Sequence, residues 1–246
     1  MVQSGDNVTI NDTYQTLRIT EDIDNVNVSY SRTYKNTNWQ PWYVPFGMEL
    51  DKTILANFSF AKFAGTYTEE EEFFLTVVRL KEGDYMNPNI PYFVQAKTAN
   101  SGTPQDIYVS NTVLKATNAN SIMLLAAEQE INVYGTYQPK IATADDLDWY
   151  FFSGGLYCLP DVGTKLGAFR FYLTITDRED NPYTTGPTST VIKIMEIGND
   201  ANGIEDLATA KASAEGSDIM YNLAGQPVGS DYKGVVIKNG KKIYLR

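Results

Sequence analysis

The chain has 246 residues with 20 basic and 30 acidic side chains, a formal net charge of −10. That sign repels nucleic-acid phosphates and anionic lipid surfaces, so neither is an expected partner. Apolar residues make up 43% and aromatics 13%, too hydrophobic for a disordered chain, yet no apolar run approaches the length that spans a bilayer, so a soluble protein without membrane insertion is expected.

Histidine is absent. This excludes Ser-His-Asp and Cys-His catalysis and removes a common zinc and iron ligand, and neither metal nor cofactor is expected. The single cysteine, Cys158, has no internal disulfide partner; between Tyr157 and Leu159 it reads as a small buried hydrophobe rather than a nucleophile. No leader is visible in MVQSGDNVTI, so the chain is expected either in the cytoplasm or as the mature part of an exported protein with an added start Met.

In chain order, Val8 to Ile10 and Thr16 to Ile19 read as short edge strands. From Val26 to Tyr34, the residues Val26, Val28, Tyr30 and Tyr34 share one parity while Asn25, Asn27, Ser29, Ser31 and Thr33 hold the other. This period of two predicts a half-buried antiparallel strand, with Arg32 near its wet end. It leads into Asn36 to Leu50, NTNWQPWYVPFGMEL, where Pro41 and Pro45 exclude a helix interior and a central strand. Trp39, Trp42, Tyr43 and Phe46 make this ribbon either a core plug between layers or an exposed aromatic platform, and the plug is favoured. If it is a platform, Trp39, Trp42, Tyr43 and Asn38 are the candidate ligand-binding residues, with Trp149 and Tyr150 second.

Asn57 to Phe63 and Glu72 to Leu80 predict a strand pair across the acidic run Glu69 to Glu72, which reads as a solvated turn rather than a metal or catalytic site. Tyr92 to Lys97, Asp106 to Ser110 and Asn111 to Lys115 continue a meander. Strands at this spacing, with turns between them, predict a mostly β fold with an antiparallel, sandwich-like main domain. Ser121 to Gln129 is the best short helix candidate, a buried strand being its alternative. Glu130 to Tyr137 alternates again. Thr143 to Asp146 predicts a capped helical turn, and Gly154-Gly155 a hairpin inside Trp149 to Leu159. Phe169, Phe171, Leu173 and Ile175 predict one face of the strongest strand. The oxygen-rich turn Asp177 to Pro182 matches no EF-hand spacing.

Ser189 to Ile197 closes a main domain over residues 1–198. Residues 199–217 read as a linker, and residues 218–246 as a small β module whose Asn239-Gly240 turn suits a type I′ hairpin. Such a module is too small for much independent stability, so docking on the main domain or a role as a detachable tag is expected.

Two regions carry a resemblance. MYNLAGQPV and KGVVIKNGKKIYLR, within Ile219 to Arg246, resemble the terminal module of many exported Bacteroides and Prevotella proteins and a short relative of type IX sorting domains. Val235 and Val236 stand where those domains carry an aromatic. From Ser29 to about Ile175, SYSRTYKNTNWQPWYVPF, IPYFVQAKT, GTYQP, YFFSGGLY and FRFYLTI resemble a non-repeat β domain that often accompanies leucine-rich-repeat surface proteins of the same bacteria. No such repeat is present here. The resemblance implies an exported, envelope-associated, non-enzymatic protein. A glycan is the expected small ligand, because aromatic faces stack on sugar CH surfaces and Asn and Gln amides bond hydroxyls; a surface protein is the other expected partner. The alternatives are a glycoside hydrolase working through two carboxylates, and a pilus-type subunit assembled by strand donation.

Overall fold

The computed structural model describes residues 3–12, 16–69, 72–100, 102–117, 121–125, 129–146, 148–177, 191–197, 220–222, 227–228, 234–238 and 241–245. The first half comprises β1 (Asn7–Asn11), β2 (Ile23–Arg32), β3 (Gln40–Trp42), β4 (Met48–Glu49), α1 (Lys52–Asn57), β5 (Phe58–Glu69), β6 (Glu72–Arg79), β7 (Tyr85–Met86), β8 (Tyr92–Ala96) and β9 (Gln105–Leu114). There follow β10 (Ser121–Leu125), β11 (Gln129–Thr136), β12 (Lys140–Ile141), a 3-10 turn (Ala144–Asp146), β13 (Phe151–Ser153), β14 (Leu156–Cys158), β15 (Lys165–Leu166), β16 (Arg170–Asp177) and β17 (Val191–Ile197). The chain divides into two compact units, Met1–Gly198 and Asn199–Arg246. In the second, β18 (Met220–Asn222), β19 (Pro227–Val228), β20 (Gly234–Lys238) and β21 (Lys241–Leu245) form a sheet in the order β19-β18-β20-β21. Lys238 pairs with Lys241 across the hairpin, the register a two-residue Asn239-Gly240 connection requires. The linker at residues 199–217 lies outside the described residues, as does the turn from 178 to 182.

The first unit is built around a seven-stranded sheet, β13-β14-β17-β6-β5-β8-β3. Adjacent residues of its strands point to opposite faces. Phe60 and Val94 enter one core with Val26, Val28 and Tyr30 of β2 and Ile107 of β9. Ala61 and Phe93 enter a second core with Ile131 and Val133 of β11 and Phe171, Leu173 and Ile175 of β16. The central sheet is therefore covered on one face by β1-β2-β9 and on the other by β10-β11-β16. The fold is mostly β and sandwich-like, as the alternation predicts.

Several local expectations change. Ser121–Leu125 is not helical: it pairs antiparallel with β11, Ser121 opposite Tyr134, because an available sheet edge outweighs the modest helix propensity of SIMLL. Thr16 to Ile19 forms no strand, and its backbone is tied instead by Leu17 N–H to the Tyr137 carbonyl and Ile19 N–H to the Thr117 hydroxyl. The pairings β1–β2 and β17–β6 are parallel, so the sheets are not pure meanders. Asp106 to Lys115 gives one strand, bent where Asn111 takes φ +51°; Asn25 in β2 does the same at φ +57°. Each coincides with a register shift, and asparagine tolerates the left-handed geometry such bulges need. Helix α1 is unheralded apart from Asp51, whose carboxylate accepts from Ile54 N–H at 2.8 Å. Phe169 does not share the strand face of Phe171. At φ +58° it stands just before β16 and enters the first core, where burial offsets a strain of about 1–2 kcal/mol.

Arg32 is the main correction to the strand Val26 to Tyr34. It shares the parity of Tyr30 and is 2% exposed, not at a wet end. Its Nε lies 3.3 Å from Asp12 Oδ2, its Nη1 donates to the Pro41 carbonyl at 2.9 Å, and its Nη2 donates to Gln40 Oε1 at 2.6 Å. The same Asp12 oxygen accepts from Arg170 Nη1 at 2.6 Å and from the Tyr30 hydroxyl at 2.8 Å. The Asp12 side chain is 4% exposed. Breaking a buried ion pair by removing one partner leaves an uncompensated charge, so Asp12→Ala is expected to cost about 3–5 kcal/mol, read as a lowered urea midpoint at unchanged slope.

A second packing constraint sits at Gly135. A Cβ there would lie 2.1 Å from the Tyr43 ring. Gly135→Ala should therefore displace Tyr43 and destabilise the fold by about 1–3 kcal/mol, whereas Gly102→Ala, where a Cβ meets nothing within 4 Å, should fall within about 0.5 kcal/mol of wild type.

Candidate functional site

The aromatic ribbon is core. Trp42 and Tyr43 are fully buried, and Trp39 is 8% exposed. The Trp42 ring meets Tyr30 at 4.5 Å, Phe60 at 5.7 Å and Phe46 at 6.4 Å between centroids, largely in edge-to-face contacts that suit aromatic quadrupoles. Enclosed rings present no face to a sugar, so the platform reading of Trp42 and Tyr43 gives way to the plug. Trp39 is capped by the Arg79 guanidinium, 5.0 Å from its ring and held by Glu196 through two hydrogen bonds of 2.7 and 2.6 Å. Asn38 alone of the four is exposed, packed against the Gly155 backbone.

The second pair is half-buried. Tyr150 exchanges backbone hydrogen bonds with Leu173 at 2.8 and 3.1 Å. Trp149 stacks on Tyr172 at 4.7 Å and lies 6.0 Å from Tyr134, itself directly opposite Tyr172 across β11 and β16. Trp149 and Tyr172 pack against a small core of Ala142, Phe151 and Leu166. Lys140 Nζ sits 4.2 Å from the Trp149 ring and 3.1 Å from Asp146 Oδ1. Burial, then the Tyr134 and Asp146 charges, push the Tyr172 hydroxyl up to about 12. In this cluster Lys140 and Asp146 are paired with each other.

Asp146, 5% exposed, accepts from Thr143 N–H and hydroxyl at 2.9 and 2.8 Å. Burial acts to raise its carboxyl, but these donors and Lys140 outweigh it and hold it below the ordinary range. A general acid needs the opposite shift. Among the described residues, the lining of a cleft of about 370 Å³ at Thr16, Leu17, Arg18, Thr117, Thr136 and Tyr137 includes no carboxylate. Burial pushes the Cys158 thiol up, which keeps it protonated. Among the described residues no group of three His, Cys, Asp or Glu side chains could hold a metal, and no helix is long and apolar enough to cross a membrane.

The surface that sequence reasoning missed is the outer face of β1-β2-β9. Register aligns Thr9 with Ser29 and Ser29 with Tyr108, then Asn11 with Ser31 and Ser31 with Asp106. Asn7 lies beside Asn27, whose amide donates to Asn7 Oδ1 at 3.2 Å. The β1 and β9 members are exposed and the β2 members half-buried. Tyr108 is 68% exposed. Its hydroxyl donates to Asp106 Oδ2 at 3.1 Å, two residues back on the same strand, and Ser29 is its other hydrogen-bond partner. The Asp106 hydrogen bond and charge raise the phenol above its ordinary range, against a smaller lowering by Ser29. The ring is thus tethered at its tip and open elsewhere. The signal for this face was present in the polar parity Asn27, Ser29 and Ser31, but its partner strands were not fixed by periodicity.

The chain matches no family model, no curated protein and no solved structure.

The Asp146 geometry sets a pH test. A carboxyl lowered by folding stabilises the native state while ionised, and that contribution disappears as pH falls through its folded value. Asp146→Asn should lower the urea midpoint at pH 7, and the gap to wild type should close as pH is taken down to about 2.

Proposed function

We propose that this is a non-enzymatic accessory protein of a Bacteroidetes cell, exported to the surface or medium, that binds a glycan or a surface protein through the outer face of β1-β2-β9. The observation that carries the reading is Tyr108, an aromatic ring 68% exposed on a face of Asn, Ser and Thr side chains. Apolar rings left open amid polar neighbours mark contact surfaces more often than the solvated side of a sheet does. Export and envelope association are supported by the resemblance of residues 219–246 and 29–175 to surface proteins of those bacteria. The non-enzymatic reading is supported by Asp12 and Asp146, the buried carboxylates, both tied to cations.

The test is co-sedimentation with outer-membrane vesicles prepared from a Bacteroides strain. Wild type should pellet with the vesicles and Tyr108→Ala should be retained about tenfold less, the loss of roughly 1.4 kcal/mol. Its urea midpoint should stay within about 0.5 kcal/mol of wild-type stability, as for an exposed site. Equal retention of the two proteins would falsify the reading.

A further inference from the structure

The geometry points to a neutral, extended glycan chain as the occupant of the β1-β2-β9 face; the inference rests on that face being the contact surface. Three properties select this ligand. The first is charge. In the rows Thr9–Ser29–Tyr108 and Asn11–Ser31–Asp106 the one ionisable group at neutral pH is Asp106, and it already accepts from the Tyr108 hydroxyl. No cation stands in these rows to hold a uronate or sulfate, and the chain carries a net charge of −10. Acidic polymers are repelled.

The second property is hydrogen-bonding type. Protein interfaces draw their binding energy from a desolvated apolar centre, and here Tyr108 has only hydroxyls, amides and one carboxylate beside it. Such groups exchange donors and acceptors with sugar hydroxyls at little net cost, because each remains paired when water leaves. The phenol ring supplies the apolar face on which the CH surface of a pyranose rests. Its hydroxyl is tethered to Asp106 and Ser29 before any ligand arrives, which lowers the entropy lost on binding.

The third is shape. Sites for single small molecules are concave and enclose most of the ligand. This face is the open side of a three-stranded sheet, with neighbouring strands about 4.8 Å apart and alternate residues about 7 Å apart. A monosaccharide would leave most of itself in water there. A chain of several sugars can touch Tyr108 and both rows together, each contact weak, with affinity arising from repetition.

The test is affinity electrophoresis of the full chain in gels containing a neutral polysaccharide (glucomannan, xyloglucan or dextran) or an acidic one (polygalacturonate or alginate), alongside pull-down on biotinylated outer-membrane proteins. Two variants accompany wild type. Tyr108→Ala removes the ring, and Ser29→Lys places a bulky cation between the rows. At least one neutral polysaccharide should retard wild type, and each substitution should weaken that retardation about tenfold or more. Both variants should keep the wild-type far-ultraviolet spectrum. Retardation only by acidic polymers, or capture only by membrane proteins, would overturn the neutral glycan; if such binding depends on Tyr108, the face still stands as the contact surface. Binding of any probe that ignores both substitutions overturns the glycan and the face together, as does the absence of binding to all three.

Discussion

The first unit depends on one oxygen. Asp12 Oδ2 receives Arg32, Arg170 and Tyr30, groups from strands on opposite sides of the central sheet. Two guanidiniums against one carboxylate leave a formal positive charge in the interior. The Pro41 carbonyl accepts from Arg32 Nη1 and the Ala168 and Phe169 carbonyls from Arg170 Nη1, and the Tyr34 ring lies 5.0 Å from the Arg32 guanidinium. Buried ions need pairing and hydrogen bonds where water has left; here Arg32 Nε has only the ion pair with Asp12 at 3.3 Å and no hydrogen bond of its own. It also explains why a short, mostly exposed strand such as β1 stays attached. Ile10 is its one fully buried side chain, too little to hold five residues of parallel edge, and the adjoining Asp12 supplies the rest.

The Trp/Pro ribbon follows from that node. Arg32 binds the Pro41 carbonyl and the Gln40 amide oxygen, fixing the chain where it turns across the sheet. Pro41 lies in β3 at the sheet edge, the position a residue without an amide donor can occupy. From there Trp42 enters the first core while Tyr43 crosses to Gly135 and Tyr137. Tyr43 N–H also donates to the Phe169 carbonyl at 3.2 Å. A ribbon joining two layers has to be rigid and voluminous, which is what two prolines and three fully buried rings provide.

What the sequence makes legible follows from this division of labour. Period-two strands were readable in Val26 to Tyr34 and from Phe171 onward because one face is buried and the other wet. The Gly154-Gly155 hairpin was readable because both glycines take positive φ, +64° and +98°. Arg32 was misread because a charged side chain on a buried parity looks like the end of a strand until its counter-charge, twenty residues upstream, is known. Ser121 to Leu125 was misread because a buried or edge strand of Ile, Met and Leu has the composition of a helix. The parallel pairings could not be read at all, since alternation reports which face a residue occupies and not which strand lies beside it.

The same division of labour accounts for the prominence of the Trp/Pro ribbon in the sequence. Aromatic density marks where the most surface is buried, and in a chain whose single cysteine gives no internal disulfide the densest cluster is the one the fold can least leave in water. Trp39, Trp42 and Tyr43 were conspicuous because they were structural. A contact surface in such a protein has to be sought where an aromatic appears alone, on a face whose other residues gain nothing from burial. Tyr108 meets that condition by register: its parity on β9 is the exposed one, Ile107 before it points inward, and the strand beside it carries serine. Burial and binding compete for the same side chains, and Tyr108, like Tyr67 and Tyr85, is an aromatic that the core does not recruit.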